Sequence, residues 1–200
     1  MNYIQTIENH GYQKFPSKNG AINYQDVESI YNGKLMFVAK YLHTIFPPLS
    51  QDDFKAFLKE INVDVHQDFV DFLKKNNGVY LFSGTFTIYG FGRIKVNGLY
   101  MISRDPLIPL PFHLFDENGR RIDKRKMKIG SVCENPLFLD NTTGEVTRLD
   151  KQGKMVEKWT SIENCTNNLV ERLEKWYDKQ GICTSPIIIE NMFFNRVKNI

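Results

Sequence analysis

The clearest pattern along the chain is a change of period, from helix to strand, within the segment DFVDFLKKNNGVYLFSGTFTIYGFG at residues 68–92. Phe69, Phe72 and Leu73 are spaced i, i+3 and i+4, which forms one apolar stripe of a helix. Asn77-Gly78 then ends this helix, because both residues tolerate the left-handed backbone conformation. Aromatic and β-branched residues follow. The segment therefore predicts a helix, a stop and a strand, and it indicates a fold more than a chemistry.

Two further helices carry clear start signals. Ser50 is a candidate N-cap, and Asp52 and Asp53 lie in the first turn, where the helix dipole favours negative charge. Capping-box spacing in Thr160–Glu163 opens the last long helix, which Gly181 is predicted to close. The predicted buried stripes are Phe54, Phe57, Leu58 and Ile61 in the first helix, and Ile162, Cys165, Leu169, Leu173, Trp176 and Tyr177 in the second.

The N-terminal quarter gives weaker signals. Residues Met1–Tyr24 are polar with scattered glycines, and they predict an arm or a loosely structured lead-in. Asp26–Phe46 predicts a helix with an interruption at Asn32-Gly33. Pro47-Pro48 ends that helix, because proline lacks the backbone N–H and disfavours helical conformation in the residue before it.

From Val79 onward the pattern consists of short strands and turns. Asn141–Gly144 lies between two alternating segments, Leu137–Asp140 and Glu145–Leu149, which is a strong hairpin signal. Asp116–Lys128 is polar and basic, and it predicts an exposed loop or hairpin tip. The other predicted strands are Tyr80–Phe82, Phe86–Tyr89, Leu99–Ser103 and Met155–Trp159.

This order of elements predicts an α+β fold in one domain over residues 1–200, with a mostly antiparallel sheet packed against N-terminal helices and a C-terminal helix. We expect residues 1–49 to form an N-terminal extension and residues 50–181 to form the core. Residues 182–200 are expected to be a tail that docks on the core, because Ile187–Ile189 and Met192–Phe194 are apolar.

Composition places the chain among ordinary soluble proteins. Its 200 residues are enough for one substantial core, and a formal charge of +3 does not demand nucleic acid or an anionic membrane as a partner. The three cysteines lie far apart and fit reduced thiols. Leu35–Phe46, the most apolar early stretch, is too short to span a bilayer. We expect a cytoplasmic protein that does not bind membranes, in an oligomeric state that the sequence leaves open.

No motif for catalysis, metal binding or cofactor binding stands out. The chain has no Gly-x-Ser-x-Gly elbow, and its four histidines do not have metal-ligand spacing. Gly90-Phe91-Gly92 lacks the third glycine of a phosphate-binding loop and is typical of a turn at a strand end. We therefore expect no enzyme, with no catalytic residues, no metal site and no cofactor.

The sequence contains one basic cluster and one acidic cluster of residues. The run RRIDKRKMK at Arg120–Lys128 is the densest basic segment, but it lacks interleaved aromatic residues, so a solvated loop is favoured over nucleic-acid contact. Negative charge concentrates along the two early helices. Helix-start electrostatics and a solvated face explain most of it. A partner-facing acidic patch is the alternative, with candidate residues Asp52, Asp53, Glu60 and Asp64.

Taken together, three segments resemble the SUKH superfamily, which contains the yeast Smi/Knr cell-wall regulators and many bacterial toxin-immunity proteins. The resemblance covers about Ser50–Gly181. The first segment is FKAFLKEINVDVHQDFVDFLKKNNGVYLF, in which Asn77-Gly78 matches the family's stop before a strand, although Val65-His66 stands where Leu-Pro is common. The others are PFHLFDENG with IGSVCENPLFLDNTTGEVTRL, and the helix at Trp159–Gly181.

The resemblance implies a noncatalytic protein-binding module, an immunity protein that neutralises a cognate bacterial toxin by direct binding. The alternative is a regulatory scaffold of the Smi/Knr type that binds cellular proteins or peptides without a toxin. Antidotes to nuclease toxins are often acidic, whereas this chain is slightly basic. Either the acidic helices form a local patch or the toxin is not a basic nuclease. Candidate partner-binding residues are Tyr89, Phe91 and Arg93, which are residue types that anchor interfaces, at a strand end.

Overall fold

The computed structural model describes residues 2–18, 20–27, 40–61, 64–91, 93–96, 99–102 and 125–184, with the backbone alone for 60, 61, 93–96 and 99–102. The helices within these residues are α1 (Tyr3–Asn9), α2 (Gln51–Ile61), α3 (Gln67–Lys75) and α4 (Ile162–Glu174). The strands are β1 (Lys14–Pro16), β2 (Ile22–Asp26), β3 (Tyr41–Ile45), β4 (Val79–Leu81), β5 (Phe86–Ile88), β6 (Arg93–Val96), β7 (Leu99–Ile102), β8 (Lys126–Val132), β9 (Asn135–Asp140), β10 (Val146–Leu149) and β11 (Met155–Trp159).

Within the described ranges, nine strands form one antiparallel sheet in the order β1-β2-β3-β4-β5-β8-β9-β10-β11. β6 and β7 pair with each other as a separate antiparallel ribbon. Neighbours in the large sheet follow chain order except at β5, which pairs with β8. The α+β fold with an antiparallel sheet and helices before and after it is confirmed.

The N-cap expected at Ser50 is present, whereas the N-cap of α4 is Ser161, one residue after the Thr160 that the capping-box spacing predicted. The Asp53 N–H donates to the Ser50 hydroxyl at 3.1 Å at the start of α2. The Asn164 N–H donates to the Ser161 hydroxyl at 3.1 Å at the start of α4. α3 ends as expected before Gly78, whose φ of +92° would strain a side chain. Local hydrogen bonds therefore define these helix ends, as the residue types predicted.

The expectation of a loosely structured lead-in over Met1–Tyr24 was wrong. Most of this segment forms α1, β1 and part of β2, and Tyr3 and Ile7 of α1 are buried. α1 lies against α4, and β2 pairs with β3. Two buried side chains, Tyr3 and Ile7, and the partly buried Ile4 anchor α1, so the apolar stripe spans little more than one turn and is too short to be recognised in a polar segment.

The helix expected over Asp26–Phe46 is contradicted wherever the structure describes this segment. Asp26 ends β2, and Tyr41–Ile45 is β3, which lies between β2 and β4. Residues 28–39, with the expected interruption at Asn32-Gly33, lie outside the described residues. Pairing with two neighbouring strands decides the conformation of β3, and such pairing is invisible to local patterns.

Two boundaries also differ from expectation. Lys126–Lys128 belongs to β8 and is not an exposed loop, since the Met127 side chain between the two lysines is 1% exposed. α4 ends at Glu174, and Gly181 lies in a later turn, where its N–H donates to the Asp178 carbonyl. Residues 185–200, which hold the two apolar stretches of the tail, lie outside the described residues. Among the described helices, none has the length and apolarity needed to cross a membrane.

The hydrophobic core lies between the sheet and the helices. α2 contributes Phe57, whose ring centroid lies 5.4 Å from that of Phe91. α3 contributes Phe69 and Phe72, which stack on each other at 6.1 Å. The Trp159 Nε1–H donates to Asn168 Oδ1 of α4 at 3.2 Å, which fixes the end of β11 against that helix. Both faces of the sheet are buried at β5, where Phe86, Thr87 and Ile88 are all buried, whereas β9 and β10 alternate between buried and half-exposed residues.

Candidate protein-binding surface

The register of β8 to β11 separates the two faces of the sheet. One row of directly opposed residues is buried, and it consists of Met127, Leu139, Val146 and Trp159. Because Trp159 bonds to α4, this row faces the helices. Side chains alternate between faces along a strand, so the neighbouring row points to the other side.

That second row is half-exposed to exposed. Lys128 is directly opposite Phe138, Phe138 is opposite Thr147, and Thr147 is opposite Lys158. We call these four residues, together with Tyr89, the open row. It crosses from the end of β5 to the edge strand β11, a width of about 19 Å at the usual strand spacing. The open row therefore offers a partner a continuous strip of aromatic, hydroxyl and ammonium groups.

Tyr89 joins the open row through backbone and ring contacts. Its N–H donates to the Ile129 carbonyl at 2.8 Å, which continues the ladder between β5 and β8. The Lys128 ammonium lies 5.8 Å from the centroid of the Tyr89 ring, within reach of a cation–π attraction. The two side chains therefore order each other at the surface before any partner binds.

Carboxylates near the open row are engaged within the chain. Glu145 Oε1 lies 2.7 Å from the Lys158 ammonium, and this hydrogen bond lowers the pKa of Glu145. Asp140 Oδ1 accepts from the backbone N–H groups of Thr142 and Thr143 at 2.8 and 3.2 Å. These carboxylates hold the hairpin in shape, since both bond to the turn or to an adjacent strand.

The β9–β10 hairpin positions two of the open-row residues. Its turn closes where the Gly144 N–H donates to the Asp140 carbonyl at 2.8 Å, with Gly144 at a φ of +76°. A Cβ on Gly144 would come within 2.5 Å of the His66 ring, so the turn packs closely on the N-terminus of α3. The hairpin is therefore held by a helix at its tip and by neighbouring strands along its length.

The three predicted partner-binding residues have different positions. Tyr89 lies in the open row. Phe91 is 1% exposed and packs on Phe57, so the contact role expected of it does not fit its position in the core. Arg93 begins β6, where it is paired with Ile102, and its side chain lies outside the described part of the chain.

The predicted acidic patch is only partly visible. Asp52 and Asp53 are exposed in the first turn of α2, and the Asp53 carboxylate accepts from the Ser50 hydroxyl at 2.6 Å. Asp64 is exposed and lines a groove of about 840 Å³ between α2, α3 and the hairpin tip, beside Phe54 and Leu58. The side chain of Glu60 lies outside the described residues. The groove also holds Lys74 and Arg125, so its rim is not uniformly acidic.

A second cavity of about 260 Å³ lies between α1, α3 and α4. Its floor includes Ile4 and Phe72, and its rim carries Asp68, Asp71 and Lys75. Among the described residues, no group of three or more His, Cys, Asp or Glu side chains could hold a metal ion. The two cavities thus carry mixed charge and no metal-ligand cluster within the described ranges.

A buried polar cluster links the N-terminal segment to α4. His10 Nδ1 lies 2.9 Å from Glu174 Oε2, and the Tyr12 hydroxyl donates to the same oxygen at 3.2 Å. Burial raises the pKa of Glu174 to about 7, while the bond from Tyr12 opposes that rise. Burial lowers the pKa of His43 to about 3, and the Phe82 N–H donates to its Nδ1 at 3.3 Å. Neither His43 nor Glu174 lines either of the two cavities above.

Sequence reasoning missed Phe138, Thr147 and Lys158 as surface candidates. The hairpin itself was predicted, and a register centred on the Asn141–Gly144 turn would have placed Phe138 opposite Thr147. The remaining members, Tyr89 and Lys128, come together only because β5 pairs with β8 across a long chain segment.

Comparison with known proteins gives one match. The family model described as SMI1 / KNR4 family (SUKH-1) matches residues 48–168, more than half of the chain. That range contains the whole open row. Neither the curated proteins nor the solved structures contain a match to this chain.

Proposed function

Because this chain belongs to the SMI1 / KNR4 family (SUKH-1), whose members are associated with protein binding, we propose that it is a cytoplasmic immunity protein. It neutralises a cognate bacterial toxin by binding it directly, and it makes or breaks no covalent bond. The toxin is masked through a protein–protein interface on the sheet.

The open row is the single observation that carries this proposal. It places two aromatic side chains, Tyr89 and Phe138, on the side of the sheet opposite α4, and both are only partly buried. Aromatic residues anchor protein interfaces because they bury a large area with few rotatable bonds. A rigid sheet holds these anchors in place, so little conformational entropy is lost on binding.

We assign Tyr89 and Phe138 as the central contacts, with Arg93 as a contact at the neighbouring strand start. Phe91 is buried against Phe57 and is not among these contacts. The acidic residues Asp52, Asp53, Glu60 and Asp64 are the alternative contact region, and mutation distinguishes it from the open row.

The experiment uses the product of the gene adjacent to that of this protein. Co-expression of the wild-type chain is expected to restore growth of cells that the neighbouring product kills, and the two proteins are expected to co-purify. Phe138→Ala is expected to weaken the complex roughly tenfold or more, as for an interface anchor. Asp52→Asn, on α2, is the matched control and is expected to change affinity less than twofold.

Two outcomes speak against the proposal. Equal killing with and without this protein would remove the immunity role, and co-purification of a cellular regulator instead would favour the scaffold function. If Asp52→Asn strongly lowers the affinity for the toxin and Phe138→Ala does not change it, the interface lies at the acidic region. Circular dichroism of each variant checks that the fold is retained.

A further inference from the structure

The basic run noted in the sequence ends inside the sheet. Its last three residues begin β8, where Lys126 and Lys128 alternate with the buried Met127. The lysines therefore share the face of the open row, with Lys126 directly opposite Asp140 and Lys128 directly opposite Phe138. What reads as a charged loop in the sequence is a basic strand on the exposed side of the sheet.

The fold supplies the aromatic neighbours that the basic run lacks in sequence. Tyr89 arrives from the end of β5 and Phe138 from β9, and the two flank Lys128 from opposite sides. Lys158 on β11 continues the row to the edge of the sheet, where its ammonium is paired with Glu145 at 2.7 Å, so the positive charge of the row lies mainly at Lys126 and Lys128. The nearby carboxylates of Asp140 and Glu145 are already bonded within the hairpin and to Lys158.

From this arrangement, and resting on the proposed function, we infer that the partner presents an acidic protein surface to the open row. Carboxylates of the partner pair with Lys126 and Lys128, and its apolar side chains cover Tyr89 and Phe138. Complementary charge of this kind accelerates encounter and fixes the orientation of the complex. The cognate toxin is therefore not a protein that binds through a basic face.

A single-stranded nucleic acid is the rival occupant, because lysines and exposed rings also bind phosphates and bases. One feature of this face, together with the family match, favours a protein. Asp140 and Glu145 place carboxylates beside the lysines, where they would repel a phosphate backbone that runs along the row. A protein partner presents discrete charges that can avoid them. The family match to protein-binding modules points the same way.

The test compares charge reversals at two places. Lys128→Glu is expected to weaken binding of the neighbouring toxin roughly tenfold at low salt, and wild-type affinity is expected to fall as salt rises. Lys59→Glu changes net charge equally but lies exposed on α2, so it is expected to alter affinity less than twofold. Equal effects of the two variants would overturn the inference.

Synthetic probes separate this inference from the proposed function. Fluorescence anisotropy is measured with a labelled poly-glutamate peptide that carries interspersed phenylalanines, and with a labelled twelve-nucleotide uridine oligomer. Peptide binding that Lys128→Glu abolishes and Lys59→Glu retains supports the acidic partner even if the neighbouring toxin does not bind. If the oligonucleotide binds more tightly than the peptide and Lys128→Glu abolishes that binding, the inference is overturned and this face binds nucleic acid. If neither charge reversal changes the affinity for the toxin, the inference of an acidic partner surface is wrong while the proposed function stands.

Discussion

His10 Nδ1 lies 2.9 Å from Glu174 Oε2, so a residue just after α1 holds the last turn of α4. The Glu174 side chain is 8% exposed, and Oε1 has no hydrogen-bond partner among the described residues. Tyr12 stacks on His10 at 4.5 Å and lies 5.2 Å from the ring of His43. The N-terminal segment is thus attached to the last helix through a buried group whose charge depends on pH.

Glu174→Gln is expected to stabilise the protein above neutral pH. The folded pKa of Glu174 is about 7, above the ordinary value of 4.5, so the free energy of unfolding is highest below pH 4.5 and falls as pH rises to 7. Glutamine does not titrate. The free energy of unfolding of the variant, measured by urea denaturation, should therefore rise relative to that of the wild type by about 1–3 kcal/mol between acidic and mildly alkaline pH. A difference that does not change with pH would contradict this account.

His43 is expected to show the opposite dependence. Its pKa falls from 6.5 to about 3 on folding because it is fully buried, so stability is lost as pH drops below 6.5. His43→Leu leaves the Phe82 N–H without this acceptor, which costs about 1–3 kcal/mol at neutral pH. On acidification the wild type should lose about 1.4 kcal/mol per pH unit relative to the variant. If the free energies of unfolding of wild type and His43→Leu change with pH in the same way, His43 does not take up a proton on unfolding and this account is wrong.

Asn77→Ala is expected to destabilise the junction between α3 and the strand end at Phe91. The Phe91 N–H donates to Asn77 Oδ1 at 2.6 Å, and the Asn77 amide donates back to the Phe91 carbonyl. Asn77 is 7% exposed, so alanine removes two hydrogen bonds from buried backbone groups, at a cost of about 2–4 kcal/mol. Asn164→Ala on the exposed side of α4 is the control, and it should change the unfolding midpoint little. If Asn77→Ala leaves the free energy of unfolding almost unchanged, water replaces both hydrogen bonds.

Glu157→Gln is expected to weaken the contact between β10, β11 and α4. Glu157 accepts from Arg148 Nε at 2.8 Å and from an Arg172 guanidinium nitrogen at 2.6 Å. The Arg148 side chain is 5% exposed, so loss of the facing negative charge is expected to cost about 1–3 kcal/mol. Lys151→Gln, which breaks an exposed pair with Glu134, should cost less than about 1 kcal/mol. Chemical denaturation of the two variants side by side distinguishes the buried from the exposed ion pair.

Elements with local signals were predicted correctly. The cap at Ser50, the stop before Gly78 and the hairpin around Asn141–Gly144 each depend on residues a few positions apart. Such contacts are contained in a short window, so the sequence alone reports them.

β3 shows why other elements were missed. Its residues pair with Ile22–Asp26 on one side and with Val79 and Tyr80 on the other. The second of these partners lies more than thirty positions away. The free energy of those pairings outweighs the local helical pattern, and no short window contains it. The same reason applies to α1, whose packing partner α4 lies at the other end of the described chain.

The sequence by itself determined the start of α2, the stop before Gly78, the hairpin turn, the α+β class and the family resemblance, because these follow from residue types and spacings along the chain. The tertiary structure alone decided which of these residues reach the surface together. It placed Phe91 in the core against Phe57, and it brought Lys128 between Tyr89 and Phe138. A one-residue change of register would exchange buried and open faces, and only the packed sheet fixes that register.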